Sequence, residues 1–246
     1  MHKFFVKPND VNGDKIHIYE DAGHISRVLR LKRGDKIIVF DGSGSEYHCA
    51  LEAVDKSECV AIIDEVCACT SEPKIRTILF QGIPKSGKME TIIQKCTELG
   101  ICEIYPVITK YTVVKLETEK DKAAKTARWQ KVALEAAKQC GRGIVPVVHL
   151  PIEFETATTK MGELDLAIMP YETLGGKKDL RDTLSNNRNC GNAGFLIGPE
   201  GGFDEGEAEF AEASGVKLVG LGERILRTET AGPAVLAIIM YENNEM

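Results

Sequence analysis

The sequence lacks a long apolar segment. Its longest useful one, residues 235–241, is far shorter than the roughly 18 residues that a membrane-spanning helix needs. Lys3 and Lys7 introduce charge too early for the apolar core of a signal peptide. Together these features predict a cytoplasmic protein that has no membrane partner.

Paired cysteines and clustered histidines are also missing. The chain has 8 cysteines, but none forms a Cys-x-x-Cys pair, and Cys67-Ala-Cys69 is the closest spacing. Zinc sites in a sequence usually show two such pairs with His partners, whereas the 5 histidines here are dispersed. The sequence therefore predicts reduced thiols and no metal site.

Proline and aromatic residues are scarce, and the net charge is not basic. The 9 prolines and 6% aromatic residues accompany 43% hydrophobic residues, a composition that excludes collagen-like and disordered chains. The net charge of −6 argues against a nonspecific nucleic-acid coat protein. Residues 73–142 nevertheless carry 14 Lys and Arg against 7 Asp and Glu, which fits either a phosphate-binding face or lysine-rich helices facing solvent.

The hydrophobic pattern changes near Pro73. In residues 1–72, short β-type segments such as residues 36–40 are separated by turn residues, which predicts a small β-barrel. In residues 73–246, short apolar strands alternate with helical periodicity, and a long helix is expected over residues 119–140. Such alternation predicts an α/β domain with a mostly parallel sheet covered on both faces.

One segment imitates a nucleotide-binding loop. Residues 82–89, Gly-Ile-Pro-Lys-Ser-Gly-Lys-Met, match the phosphate-binding loop of nucleotide hydrolases except at the last position. Met89 cannot supply the hydroxyl group that this loop places on Mg²⁺. Lys85 and Lys88 are therefore predicted either to contact RNA phosphates or to face solvent. A P-loop-like nucleotide-dependent phosphotransferase remains an alternative function.

Two glycine-containing loops in the last third of the chain indicate a ligand site. Residues 197–203, Ile-Gly-Pro-Glu-Gly-Gly-Phe, lead from an expected strand to a helix whose start is indicated by Asp204 and Glu207. Residues 219–231, Val-Gly-Leu-Gly-Glu-Arg-Ile-Leu-Arg-Thr-Glu-Thr-Ala, again join a strand to a helix. Open α/β sheets bind ligands at the carboxyl ends of their strands, so the two loops together favour one site.

These loops also carry a family resemblance. The matching segments are residues 198–203, residues 221–231, residues 94–100 (Gln-Lys-Cys-Thr-Glu-Leu-Gly), Arg128-Trp129, Glu135-Ala136, residues 139–142, His24 and residues 28–34. They resemble the bacterial 16S ribosomal RNA (uracil-N3) methyltransferase family, which belongs to the knotted SPOUT methyltransferases.

The resemblance implies both an architecture and partners. It implies a PUA-like β-barrel that binds RNA in residues 1–72, and a SPOUT methyltransferase domain with a deep trefoil knot in residues 73–246. It also implies a homodimer, S-adenosylmethionine as the methyl donor, and 16S ribosomal RNA or the small ribosomal subunit as the substrate.

Specific roles for the loop residues follow from this resemblance. The residues predicted to hold S-adenosylmethionine are Gly198, Gly201, Gly202, Leu221, Gly222, Ile225 and Leu226, with Leu221 and Ile225 against the adenine. Uracil N3 carries a proton about as weakly acidic as that of a phenol, with a pKa near 10. Arg227 is predicted to stabilise the anion, and Glu200 or Glu229 to take the proton. The alternative is that Arg227 and Glu229 only fix the loop.

Basic residues of both domains are predicted to contact RNA. They are Arg27, Arg30, Lys32, Arg33, Lys85, Lys88, Lys131, Lys138 and Arg142. Phosphate contacts of this kind position RNA without reading its sequence. A non-catalytic RNA-binding protein therefore remains a further alternative, and it would bind RNA with a steep salt dependence and transfer no methyl group.

Overall fold

The computed structural model describes residues 1–116, 118–172, 180–188 and 190–246. In it, short β-type segments of the first 68 residues pair into one six-stranded sheet. The strands are β1 (His2–Phe5), β2 (Val11–Asn12), β3 (Lys15–Ile18), β4 (Lys36–Phe40), β5 (Ser45–Val54) and β6 (Cys59–Ala68). Their order is β1-β4-β5-β6-β3-β2, and only the β1–β4 pair is parallel. The β-rich character expected of this region is confirmed, and its closure into a barrel stays a prediction.

The remaining strands form a second sheet in which every described pairing is parallel. The strands are β7 (Arg76–Gly82), β8 (Glu103–Ile108), β9 (Val147–Val148), β10 (Ile152–Glu153), β11 (Leu166–Pro170), β12 (Asn192–Ile197) and β13 (Lys217–Val219). The order is β10-β8-β7-β12-β11-β13, with β9 also paired to β8. The predicted parallel α/β sheet is confirmed.

Helices cover both faces of this second sheet. They are α1 (Lys88–Glu98), α2 (Glu119–Cys140), α3 (Phe154–Gly162), α4 (Leu180–Ser185), α5 (Glu205–Ala213) and α6 (Thr228–Glu242). Successive residues of a strand point to opposite faces, so Ile78 and Phe80 pack in the cluster with α3 and α5, whereas Leu79 lies near Gly232 of α6. The expected α2 bounds and the two-sided cover are both confirmed.

Two helices, α1 and α5, end and begin at the residues that the sequence indicates. Gly100, just after α1, has a φ of +95°, a conformation that glycine adopts without steric cost. At the start of α5, the Asp204 side chain accepts from the Glu207 amide and the Glu207 side chain accepts from the Asp204 amide. This capping box fixes where the chain leaves the first glycine-containing loop.

The described chain separates into two compact units, residues 1–72 with 137–145 and residues 73–136 with 146–246. The segment 137–145 thus clusters with the first unit although it lies beyond the predicted boundary near Pro73. Glu72 supplies a reason, because its carboxylate accepts hydrogen bonds from Arg142 at 2.7 Å and from the Gly143 amide at 2.8 Å. Separate roles for domains 1–72 and 73–246 remain a prediction.

Among the described residues, no helix is both long and apolar enough to span a bilayer.

Candidate active site

A cavity of about 520 Å³ lies where three neighbouring parallel strands end. Its wall is formed by residues 197–200, Gly202 and Phe203 at and beyond the end of β12, by residues 221–228 beyond β13, and by Pro170, Tyr171 and Glu172 at the end of β11. This position, at the carboxyl ends of the strands, is where open α/β sheets bind ligands. The structure therefore brings the two glycine-containing loops together, as the sequence predicts.

Glycine is required where the first loop turns back on itself. A Cβ on Gly198 would lie 3.0 Å from the Gly202 Cα, and Gly202 has a φ of +67°. The loop also packs on the end of β7, because a Cβ on Gly82 would lie only 2.5 Å from the Pro199 ring. These close approaches keep the loop backbone at the cavity wall.

A buried hydrogen-bond chain joins the two loops. Gln81, the penultimate residue of β7, is 0% exposed and donates its side-chain amide to the Thr228 hydroxyl at 2.9 Å. Thr228 in turn donates to the Gly198 carbonyl at 2.6 Å. The start of α6, the first loop and the end of β7 are therefore tied together. Sequence analysis missed both residues, although the position of Gln81 at a strand end was a usable signal.

Lys88 lies between the two carboxylates that were predicted to act as bases. Its ammonium is 3.1 Å from Glu200 and 3.4 Å from Glu229. The Glu229 oxygen has no hydrogen-bond partner among the described residues, so the longer contact is electrostatic only. The hydrogen bond to Glu200 raises the pKa of Lys88 despite partial burial, which keeps the ammonium charged.

Glu200 is held in its ionised form. Partial burial raises the pKa of its carboxyl group, but hydrogen bonds from its own backbone amide, from Lys88 and from the Lys85 amide outweigh burial and lower that pKa. The Lys85 amide donates to both carboxylate oxygens at 3.2 Å. Glu200 therefore presents a negative charge at the cavity wall.

Arg227 is the exposed N-cap residue of α6 and also lines the cavity. Its backbone carbonyl accepts from Thr230 and Ala231, while its guanidinium forms no ion pair or hydrogen bond with the described part of the chain. The Arg227–Glu229 pairing considered as an alternative is not formed, since the carboxylate is next to Lys88 instead. The guanidinium is thus available for a bound molecule.

Most of the predicted cofactor residues share this wall. The cavity is lined by Gly198, Gly202, Leu221, Gly222, Ile225 and Leu226, together with Glu200 and Arg227 from the predicted catalytic set. Gly201 is placed differently, because a Cβ there would lie 2.9 Å from Tyr111 rather than facing the cavity. Glu229 also lies outside the wall. Tyr171 and Glu172, which directly follow β11, also line the cavity and were not predicted.

The predicted phosphate contacts divide into two groups. Arg27, Arg30, Lys32, Arg33, Lys85 and Lys131 are exposed. Three others already have partners: Lys88 as described, Lys138 with Asp21 at 3.0 Å, and Arg142, which is 3% exposed and bound to Glu72. Lys138 and Arg142 are therefore paired with acidic residues distant in sequence, whereas Lys131 is exposed, and the contacts of all three with RNA stay predictions.

Residues 82–89 resemble a nucleotide-binding loop in sequence, but the charges around their lysine differ from those of such a loop. Such a loop directs its lysine at phosphate groups, but here the Lys88 ammonium is held by two carboxylates. Met89, at the position of the magnesium-binding hydroxyl, is 1% exposed and belongs to the core. The phosphotransferase alternative loses its sequence support.

Sequence comparison matches both parts of the chain. A profile of the RNA methyltransferase domain matches residues 71–240, and one of the RNA methyltransferase PUA domain matches residues 20–64. The ribosomal RNA small subunit methyltransferase E of Bacillus subtilis is 35% identical over 94% of this chain and 89% of its own length. The protein of the same name from Mesomycoplasma hyopneumoniae is 32% identical over 94% of this chain and 95% of its own.

Solved structures agree with these matches. The ribosomal RNA small subunit methyltransferase E of Neisseria gonorrhoeae, solved bound to S-adenosyl methionine, has a TM-score of 0.88 at 30% identity and covers 99% of this chain and 98% of that one. A protein from Legionella pneumophila described as a methyltransferase, with S-adenosylmethionine bound, has a TM-score of 0.85 at 27% identity and covers 98% and 97%. Given its cavity and these matches, the chain belongs to the RNA methyltransferase family that includes ribosomal RNA small subunit methyltransferase E.

Proposed function

We propose that this protein transfers the methyl group of S-adenosylmethionine to N3 of a uridine in 16S ribosomal RNA of the small ribosomal subunit. The observation that carries this proposal is the cavity between the two glycine-containing loops, in a chain whose relative from Neisseria gonorrhoeae was solved with S-adenosyl methionine. Membership in the family supports the reaction class, and the chemistry of the cavity supports the acceptor.

The residues of the cavity fit this cofactor. A volume of about 520 Å³ falls within the range of 300–1,000 Å³ typical of small-molecule sites. A Cβ on Gly222 would meet no atom within 4 Å, and its φ of +96° favours glycine, so backbone groups remain open to a ligand there. Ile225 is 79% exposed at the rim, so its side chain is open to contact with a flat apolar ring.

We assign the cofactor-holding groups accordingly. Backbone groups of Gly198, Gly202, Leu221, Gly222 and Leu226 hold the cofactor, and Leu221 and Ile225 contact the adenine. Gly201 supports the loop from outside by its close approach to Tyr111. Bound there, the cofactor supplies an electrophilic methyl group.

The acceptor chemistry requires a cation near the uracil. N3 becomes nucleophilic only when its proton leaves, and a positive charge near the uracil oxygens lowers the pKa of that proton by about 1–3 units. Arg227 is suited to this because its guanidinium is unpaired within the described chain and always charged. Lys88 is less suited, since two carboxylates already neutralise it.

Two carboxylates can take the N3 proton. Glu200 lines the cavity, but it is occupied by Lys88 and by the Lys85 amide. Glu229 lies outside the wall, yet one of its oxygens lacks a hydrogen-bond donor. Glu200→Gln and Glu229→Gln variants separate the two, since loss of the base should lower the transfer rate at neutral pH and leave a rate that recovers in part as the pH is raised toward the pKa of N3.

The fold-level proposals concern assembly. We propose that the SPOUT methyltransferase domain of residues 73–246 contains a deep trefoil knot in its C-terminal part, and that two copies of the chain pair as a homodimer. Helix α6 supports the second point, because Ile238 is 40% and Tyr241 73% exposed on a helix that is otherwise rich in buried apolar residues. A second copy would cover such side chains.

The direct test is a transfer assay with radiolabelled S-adenosylmethionine and purified 16S ribosomal RNA or small subunits. We expect methyl incorporation at a uridine and an arrest of reverse transcription there, because a methyl group on N3 blocks the base-pairing edge. Methylation at ribose or at uracil C5 would not arrest pairing and would contradict the N3 assignment. Binding of RNA without transfer would favour the non-catalytic alternative.

The exposed basic segment of the first unit gives a separate prediction. Arg27, Arg30, Lys32 and Arg33 are all exposed within seven residues, the pattern of a phosphate-contacting surface. Arg33→Gln should weaken RNA binding and reduce the slope of log affinity against log salt by about 1. Titrations at several salt concentrations measure this, with Lys56→Gln, an exposed turn lysine, as the control. An unchanged slope would remove Arg33 from the RNA surface.

A further inference from the structure

Four side chains of metal-binding types meet on one face of the β5–β6 hairpin. In this antiparallel pair Glu46 lies opposite Cys67, and His48 lies opposite Glu65. Residues two apart on a strand share a face, and residues directly opposite have Cβ atoms about 4.5–5.5 Å apart. The hairpin therefore places two carboxylates, an imidazole and a thiol at four adjacent positions.

Three of these side chains already converge. One ligand atom each from Glu46, His48 and Cys67 lies within 4.8 Å of the other two. The closest approach is 2.9 Å, between His48 Nε2 and Glu46 Oε1. Zinc binds such atoms at about 2.0–2.3 Å, so its tetrahedral ligands are about 3–4 Å from one another. Small side-chain rotations are enough to close this geometry around one ion.

Buried apolar side chains lie beside two of the three proposed ligands. On the neighbouring strand β4, Phe40 pairs with Glu46 and Ile38 pairs with His48, and both apolar residues are buried. Ligands on paired strands are more precisely held than ligands on loops. Their buried neighbours also lower the local dielectric, which strengthens the attraction of the donor atoms for a cation.

We propose that Glu46, His48 and Cys67 form a zinc site, with water or the Glu65 carboxylate as the fourth ligand. A thiolate, an imidazole and a carboxylate are the donors that zinc and cobalt(II) prefer, whereas magnesium and calcium prefer oxygen alone. On binding, the Cys67 thiol loses its proton to solvent, the neutral His48 imidazole donates its lone pair, and the metal replaces the contact between His48 and Glu46. The ion would cross-link β5 and β6 and stabilise the first unit.

The experiment uses the whole chain, stripped with chelator and kept reduced with a phosphine in place of a thiol, because an added thiol would compete with Cys67 for the metal. Cobalt(II) is added first, because a cobalt–thiolate bond has a charge-transfer absorption that reports the sulfur ligand directly. We expect one cobalt ion per chain with this absorption, its loss on adding zinc, and a higher unfolding temperature with zinc. Cys67→Ser should abolish the absorption, and His48→Gln should weaken zinc binding by about tenfold or more.

Cys140→Ser is the matched control, since Cys140 is an exposed cysteine of the same unit outside the cluster. It should bind cobalt and zinc as the unaltered protein does. Absence of the thiolate absorption in the unaltered protein, or its persistence in Cys67→Ser, would overturn the proposal and leave an ordinary contact between His48 and Glu46. If Cys67→Ser fails to fold, unchanged zinc affinity in His48→Gln overturns it equally.

Discussion

Arg227→Ala is expected to lower the methyl-transfer rate by about 100-fold while changing the Kd for S-adenosylmethionine little. Removing one group that stabilises developing negative charge typically costs about 10²–10³ in rate. The Arg227 guanidinium at the cavity wall, which has no partner among the described residues, is the charge that we assign to stabilising the uracil anion. Single-turnover transfer measures the rate, and calorimetry measures cofactor binding separately.

The pH dependence of this variant distinguishes a chemical role from a structural one. Without the cation the N3 proton is less acidic. Raising the pH toward about 10 should therefore restore part of the transfer rate that Arg227→Ala loses at neutral pH. Arg227→Lys retains the charge and should recover part of the loss at neutral pH. Normal turnover in Arg227→Ala, or a defect confined to cofactor affinity, would remove Arg227 from the chemistry.

Gly202→Val is expected to weaken S-adenosylmethionine binding by about tenfold or more, which corresponds to about 1.4 kcal/mol. Gly202 has a φ of +67°, and a β-branched residue adopts that region only at a steric cost. The first loop will therefore shift its backbone away from the cavity it lines. Calorimetric titration with the cofactor measures the effect.

Gly13→Val provides the matched comparison. Gly13 has a φ of +63° and no atom within 4 Å of an added Cβ, but it lies in the first unit. It carries the same backbone strain without touching the cavity, so it should lower the unfolding temperature and leave cofactor affinity unchanged. Equal affinities in Gly202→Val and the unaltered protein would show that the first loop does not hold the cofactor.

Periodicity in the sequence was enough to identify most regular elements. The α2 helix begins and ends where its pattern predicts, and the capping box of Asp204 and Glu207 forms as expected. These features depend on interactions within a few residues, which a sequence displays directly. The two glycine-containing loops were recognised for the same reason, since each adjoins a strand and a helix.

The ion-pair partners of the basic residues could not be predicted from the sequence. Lys88, Lys138 and Arg142 were predicted to contact RNA, yet their carboxylate partners Glu200, Asp21 and Glu72 are at least 70 residues away along the chain. Nothing local in the sequence distinguishes a lysine facing solvent from one paired across the fold. Only tertiary packing decides which basic residues remain available.

Local patterns and long-range contacts account for different features of this protein. Length, composition, the alternation of strands and helices and the glycine-containing loops specified an α/β protein with a ligand site at strand ends. Strand register brought Glu46, His48 and Cys67 together, and the buried contact of Gln81 with Thr228 joined the two cavity loops. These arrangements were decided by the fold, because they depend on which strands pair, in which register, and on where distant segments meet.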